Sequence, residues 1–341
     1  MSRHLHLDPF SGIAGDMFLG ALIDLGADLA GIERALASLP IEDSYRLTAE
    51  RVSRHGIGAI DFKVKLGSAA SAATQAGARD GGNQHHHHHH QDSHSDEADA
   101  AAHSHAHSHS HSQSHSHSHS HSHSHSDHHE SHAGPEHQSS HEHHHHAHVG
   151  YREIMAMVAC LETTPRGRER AGRVVTALAE AEARVHQKSL DEIHFHEVGA
   201  VDSIVDMLGG VVALELLEID ELSCGPLPIS TGFVRCDHGL MPVPAPATAY
   251  LLEGLPTYGV DRRGELITPT GAALVKALCG YIGPSPAMRI QRIGYGAGDR
   301  QHPEIPNLLR AMLGRIDHHA QPRPAASVAW PSEAPSPSAG K

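Results

Sequence analysis

Cysteine is scarce in this chain of 341 residues, and what there is lies scattered: Cys160, Cys224, Cys236 and Cys279, with no C-x-x-C pair. That spacing excludes a disulfide framework and a thiolate zinc site, and it fits small residues in a reducing compartment. Long apolar runs are missing as well. The longest, Met207–Leu217, is interrupted by Glu215 and is too short to span a bilayer. The N-terminus, Met-Ser-Arg-His-Leu-His-Leu-Asp-Pro, has neither an apolar stretch nor a cleavage pattern, so a signal peptide is not expected and a cytoplasmic location is. Basic residues are in deficit: 26 Lys and Arg against 40 Asp and Glu, for a formal charge of −14. Such a balance argues against nucleic acid and against an anionic membrane surface as partners.

What is abundant is histidine. Of 38 in the chain, 28 fall between His85 and His148, a block with no Lys or Arg. It opens with His85, His86, His87, His88, His89 and His90, continues as a His-Ser alternation over His103–Ser126, and ends near His143, His144, His145 and His146. Neutral imidazole suits nickel, zinc, copper and cobalt, so many overlapping sites give high metal capacity with little geometric selectivity. The tract alone does not name the metal. Residues 67–148 lack the apolar surface needed to offset chain entropy and read as a disordered insert.

On either side the pattern is that of a folded domain. His4–Asp8 alternates as a strand does, and Met17, Leu19, Leu22, Ile23 and Leu25 have helical spacing before Gly26. Ile32–Leu39 reads as a second helix, with strands at Tyr45–Val52 and Ala59–Leu66. Past the insert, helices are predicted from Tyr151, from Pro165 to about Gln187, over Ala200–Glu218, near Ala245–Glu253 and over Thr270–Cys279. Ile193–Val198 reads as a short strand or extended turn, and Leu222–Ile229, Phe233–Cys236, Met288–Gly294 and Asn307–Leu313 read as strands. The expected fold class is α/β, or α+β, with a mixed sheet and covering helices. One core domain is built from 1–66 and 149–316, interrupted by the insert and followed by a Pro/Ala/Ser tail over 317–341.

Three clusters carry candidate chemistry. In His194–Asp206, His194 and His196 are two apart and can face the same way, Asp202 and Asp206 are four apart on one helix, and Glu197 lies at the junction. Two imidazoles with carboxylates suit a first-row divalent metal; a capped helix with surface carboxylates is an equal reading. In the second, Asp8 ends a strand, Asp16 opens a helix, and the small loop between them would let a phosphate or metal approach backbone amides, unless it is simply a tight turn before a helix. In the third, Thr268-Pro269-Thr270-Gly271 could hold a phosphate through Thr268, Thr270 and the Gly271 amide, or could be a cap made by Thr270. His238 falls in a turn, and Gly294–Gly298 reads as a flexible turn between strands. No G-x-S-x-G elbow is present.

Taken together, several stretches resemble the LarC family of nickel-pincer cofactor insertion proteins: Leu7–Met17 (LDPFSGIAGDM), Ala179–His186 (AEAEARVH), His194–Asp206, Pro242–Thr248 (PVPAPAT), Glu265–Ala273 (ELITPTGAA) and Gly294–Arg310 (GYGAGDRQHPEIPNLLR). They follow the family's order and cover essentially all of the ordered chain. The resemblance implies insertion of Ni2+ into pyridinium-3,5-bisthiocarboxylic acid mononucleotide, with CTP consumed in the presence of a divalent ion such as Mn2+. A nickel-pincer-dependent racemase would be the downstream recipient. Forming a nickel–carbon bond requires loss of a ring proton, so Asp8, Asp16, Glu197 and Asp202 become candidate acid–base groups, with His194, His196 and Glu197 as nickel ligands. Family members continue into a CTP-binding C-terminal domain, so this chain is expected to be the metal-loading part working with a separate domain. Two other readings stand beside the insertase: a nickel store or metallochaperone, and a metal-dependent phosphate-ester hydrolase. The sequence leaves a homo-oligomer open.

Overall fold

The protein is described by a computed structural model over residues 2–41, 45–67, 149–195, 201–236 and 238–316. By its contacts the chain divides into two units, residues 1–78 with 145–341 and residues 79–144, the second wholly outside the described residues. Residues 68–148 of the expected disordered insert, and the tail over 317–341, lie outside them as well.

Strand β1 (His4–Asp8) is central rather than half-solvated. It pairs antiparallel with β11 (Leu308–Ile316) and parallel with β4 (Glu221–Cys224). The sheet has seven strands in the order β2-β3-β10-β11-β1-β4-β9, where β2 is Tyr45–Arg54, β3 Ile57–Leu66, β9 Cys279–Ile282 and β10 Met288–Ala297. Parallel and antiparallel pairs coexist, so the sheet is mixed and the fold is α/β, as expected. His4 and His6 are buried like Leu5 and Leu7. They face the sheet's other side and close on one hydroxyl: Ser223 Oγ lies 2.7 Å from His4 Nε2 and 2.8 Å from His6 Nδ1.

Helix α1 (Gly15–Asp24) lies across β3 and β10. The contact is so close that a Cβ on Gly296 would sit 1.8 Å from the Met17 carbonyl oxygen, and one on Gly294 2.4 Å from that of Ala21. The expected flexible turn at Gly294–Gly298 is therefore mostly strand: β10 runs on to Ala297, and its glycines remove side chains where the helix backbone passes. Helix α2 (Leu29–Leu36) is capped by Asp28, whose carboxylate accepts from Gly31 N.

Beyond the insert come α3 (Tyr151–Cys160), α4 (Pro165–His186) and α5 (Val201–Leu216). Every residue of α5 from Met207 to Leu214 is buried, and the helix packs on α1, α2 and α4. The region read as one strand over Leu222–Ile229 is two, broken at Gly225-Pro226: β4 joins the main sheet, while β5 (Leu227–Thr231) pairs with β8 (Thr257–Arg263). A hairpin, β6 (Phe233–Cys236) and β7 (Gly239–Pro242), precedes α6 (Pro246–Leu252), and α7 (Pro269–Leu278) leads directly into β9. No described helix is long and apolar enough to cross a membrane.

Candidate functional site

Helix α1 begins with no side-chain cap of its own; Ala14 cannot provide one. Its orphan amides are met from distant parts of the chain. The Gly15 N–H donates to Thr270 Oγ1 at 3.3 Å, and the Asp16 N–H donates to the carboxyl group of Asp206. The starts of α1, α5 and α7 are thus stitched together. Thr268 caps α7 by accepting from Gly271 N at 3.2 Å, and the Thr268 and Thr270 hydroxyls lie 2.9 Å apart. The cap is Thr268, with Thr270 turned toward α1. A Cβ on Gly15 would lie 2.7 Å from Asp206 Cβ, and one on Gly271 2.3 Å from the Ile13 carbonyl oxygen, which is why both positions are glycine.

Electrostatics single out Asp206 and Asp16. Burial pushes the Asp206 carboxyl well above the usual range, and the neighbouring charges of Asp16 and Asp202 push it further. Burial also raises Asp16, against the pull of Lys63 and of the Met17 N–H, which donates to Asp16 Oδ1 at 2.7 Å. Lys63, on β3, lies 3.4 Å from Asp16 Oδ2 and 3.1 Å from Asp61 Oδ1, and it pairs with Asp299. Burial disfavours its charge, but those three carboxylates more than compensate and hold its pKa above the ordinary lysine value. The result is two carboxyl groups that retain a proton more readily than usual, beside a firmly charged ammonium, where three helices begin. Such a pair holds a proton more firmly than ordinary carboxyl groups and is a candidate for acid–base work.

The loop from Asp8 to Asp16 is less open to a ligand than its glycines suggest. Gly12 N donates to the Pro9 carbonyl and Ile13 N to that of Leu266, both at 2.9 Å. Asp8 and Asp16 take different partners: Asp8 pairs with Arg310, Asp16 with Lys63. Asp202, in the first turn of α5, is exposed and accepts from Ser203 N. His194 is exposed, and its backbone bridges Gly150. His196, Glu197, His85–His90 and His143–His146 lie outside the described residues. Among the described residues no group of three or more His, Cys, Asp or Glu is arranged to hold a metal ion. A cavity of about 470 Å³, lined in part by His4, Glu221, Ser223 and Tyr281, opens at the other end of β1 and shares no lining residue with the acid–lysine cluster. We assign the candidate site to the cluster, since shifted carboxyl groups beside a fixed charge carry chemistry and a cavity by itself does not.

Sequence reasoning missed Lys63, Asp61 and Asp299, which stand in unremarkable strand and loop contexts. It noted Asp206 only as the helical neighbour of Asp202.

Comparison with known proteins agrees with the resemblance noted above. Residues 5–330 match the family described as nickel insertion protein. Relatives include proteins of Syntrophotalea carbinolica (36% identical over 313 residues), Pelobacter propionicus (35% over 316) and Wolinella succinogenes (36% over 322), each provisionally named a nickel insertion protein. The alignments cover 92%, 92% and 94% of this chain and 60%, 61% and 62% of those relatives, so the chain spans about three-fifths of their length. No solved structure matches. The chain belongs to the nickel insertion protein family.

Proposed function

We propose that this chain loads Ni2+ and takes part in inserting it into pyridinium-3,5-bisthiocarboxylic acid mononucleotide, with nickel as a substrate. The observation that carries the reading is the family match over residues 5–330, which spans the folded segments and the histidine tract between them. In this proposal the tract gathers the ion, and His194, His196, Glu197 and Asp202 receive it. The Asp16–Asp206 pair takes the ring proton released when the nickel–carbon bond forms, so that C–H and Ni2+ give C–Ni and one proton held by a carboxylate. Lys63 keeps the site's charge near balance as that proton arrives, and the Thr268–Gly271 turn faces the substrate phosphate. CTP and Mn2+ act through a CTP-binding domain separate from the fold described. A nickel-pincer-dependent racemase receives the product.

Support for the proton-accepting role comes from the raised carboxyls at three converging helix starts. The test uses purified chain, Ni2+, precursor, CTP and Mn2+, with the CTP-binding domain supplied, and follows nickelated product by mass spectrometry. Asp16→Asn and Asp206→Asn should each lower product formation by about 10²-fold or more, the usual worth of a positioned acid–base group, with nickel binding unchanged. Wild-type turnover in both variants would overturn the assignment. The histidine tract also favours a second reading, a nickel store or metallochaperone without chemistry of its own.

A further inference from the structure

Two guanidinium groups and an imidazole gather at one end of β8 with no carboxylate to balance them. Arg262, on β8, reaches the loop after β1, where its Nη1 donates to Ser11 Oγ at 3.2 Å and its Nη2 to the Phe10 carbonyl at 3.1 Å. Arg300 comes from the loop between β10 and β11 and turns to the same end of β8. Its Nη1 donates to the Glu265 carbonyl at 3.1 Å and would lie 3.0 Å from a Cβ on Gly264. His302, in the same loop, is close to both. Burial, and then the charges of Arg262 and Arg300, hold its pKa below the ordinary histidine value. Its backbone is tied down, the carbonyl accepting from His55 Nε2 at 2.9 Å. Its ring Nε2 is buried and has no hydrogen-bond partner.

What this corner lacks is negative charge. Among the described residues no carboxylate forms an ion pair with Arg262 or Arg300: Asp8 is taken by Arg310, and Asp299, next to Arg300 in the chain, by Lys63. Like charges held together repel, and a buried ring nitrogen without a partner adds to the cost. Pinning the Phe10–Ser11 turn is a structural role for Arg262, but it accounts for neither Arg300 nor His302 Nε2. A guanidinium carries more N–H donors than these bonds use, and an imidazole can carry its proton on either nitrogen. No hydrogen bond of the His302 ring fixes one form, so Nε2 is able to donate. Donors of this kind suit an oxyanion, and arginine is the usual partner of phosphate. A planar carboxylate is satisfied by one guanidinium, whereas donors from three side chains match the tetrahedral oxygens of a phosphate.

We propose that Arg262, Arg300 and His302 form a binding site for the phosphate group of a phosphomonoester, separate from the Thr268–Gly271 turn. The site borders the acid–lysine cluster, because the loop that carries Arg300 and His302 also supplies Asp299. Nothing in it depends on nickel.

Peptide-resolved modification of arginine by phenylglyoxal tests this in the full chain, stripped of metal and held at constant ionic strength. The probes are inorganic phosphate, ribose 5-phosphate and acetate, with chloride as the control. Both phosphates should slow modification of Arg262 and Arg300 and leave Arg263, exposed on the same strand, unaffected; acetate should protect none of them. His302→Ala should raise the ribose 5-phosphate concentration that protects Arg300 by about tenfold, the effect of losing one hydrogen bond to a charged group. Arg300→Gln should do the same for protection of Arg262. Circular dichroism checks that both variants keep their secondary structure. Equal modification in phosphate and chloride overturns the site, as does protection that extends equally to Arg263. Protection by acetate, or by inorganic phosphate alone, overturns the phosphomonoester assignment, and an unchanged titration in either variant overturns the three-residue site. Because neither nickel nor an insertion product is measured, the result is independent of the insertase reading.

Discussion

A methyl group on Gly296 would lie 1.8 Å from the Met17 carbonyl oxygen, whereas one on Gly239 would meet nothing within 4 Å. Gly296→Ala should therefore cost about 3 kcal/mol or more, because helix and strand backbones must separate. Gly239→Ala should cost only about 1–2 kcal/mol, the strain of a positive φ. Urea denaturation of the two variants measures the difference, and similar midpoints would contradict the close α1–β10 contact. Asp206 offers a second test. Its folded pKa is raised by burial, so the folded state holds the proton more firmly than the unfolded chain does. Stability present while the group is protonated is lost as pH rises through the folded value. Asp206→Asn lacks that loss, so its stability relative to wild type should grow as pH is raised from about 4 upward. A gap independent of pH would contradict the raised value. Side chains of this kind were only partly legible in the sequence. The spacing of Asp202 and Asp206 put both on one helix, but nothing local says that Asp206 meets the Asp16 amide 190 positions away in the chain.

Among the elements, β1 shows how a correct local reading can miss its setting. Alternation marked a strand, yet period two does not reveal that both faces are covered or that His4 and His6 share Ser223. Burial lowers the pKa of both imidazoles. They are neutral in the fold, and the unfolded chain binds more protons below its ordinary value of about 6.5. Their contribution is thus intact above that pH and falls away as the solution is acidified, which thermal melts between neutral and mildly acidic pH would register as a falling midpoint. Ser223→Ala, which takes a partner from two buried rings, should cost about 1–3 kcal/mol; no loss would mean the hydroxyl is dispensable. Helices α4 and α5 were readable because long periodic segments dominate their surroundings. Strand β8 was not, since Thr257–Arg263 is largely exposed and carries charge in place of alternation. Nor was β9, which follows α7 with no turn residues between them.

For the molecule as a whole, composition and motif order pointed to the family before any pairing of strands was known. Topology was out of reach, because β1 pairs with β11 across some 300 residues and no local pattern encodes that. The candidate site was equally non-local: Asp16, Lys63, Asp206, Thr270 and Asp299 meet only once the sheet has formed. In the proposed function a tract collects nickel and the fold takes part in its insertion. Product formation as a function of free nickel, compared between the intact chain and one lacking residues 85–148, tests this division most directly. The account predicts the same maximal rate for both, with the deleted form needing more nickel to reach it. A maximal rate that collapses with the tract, however much nickel is supplied, would contradict it and leave the chain as a nickel store.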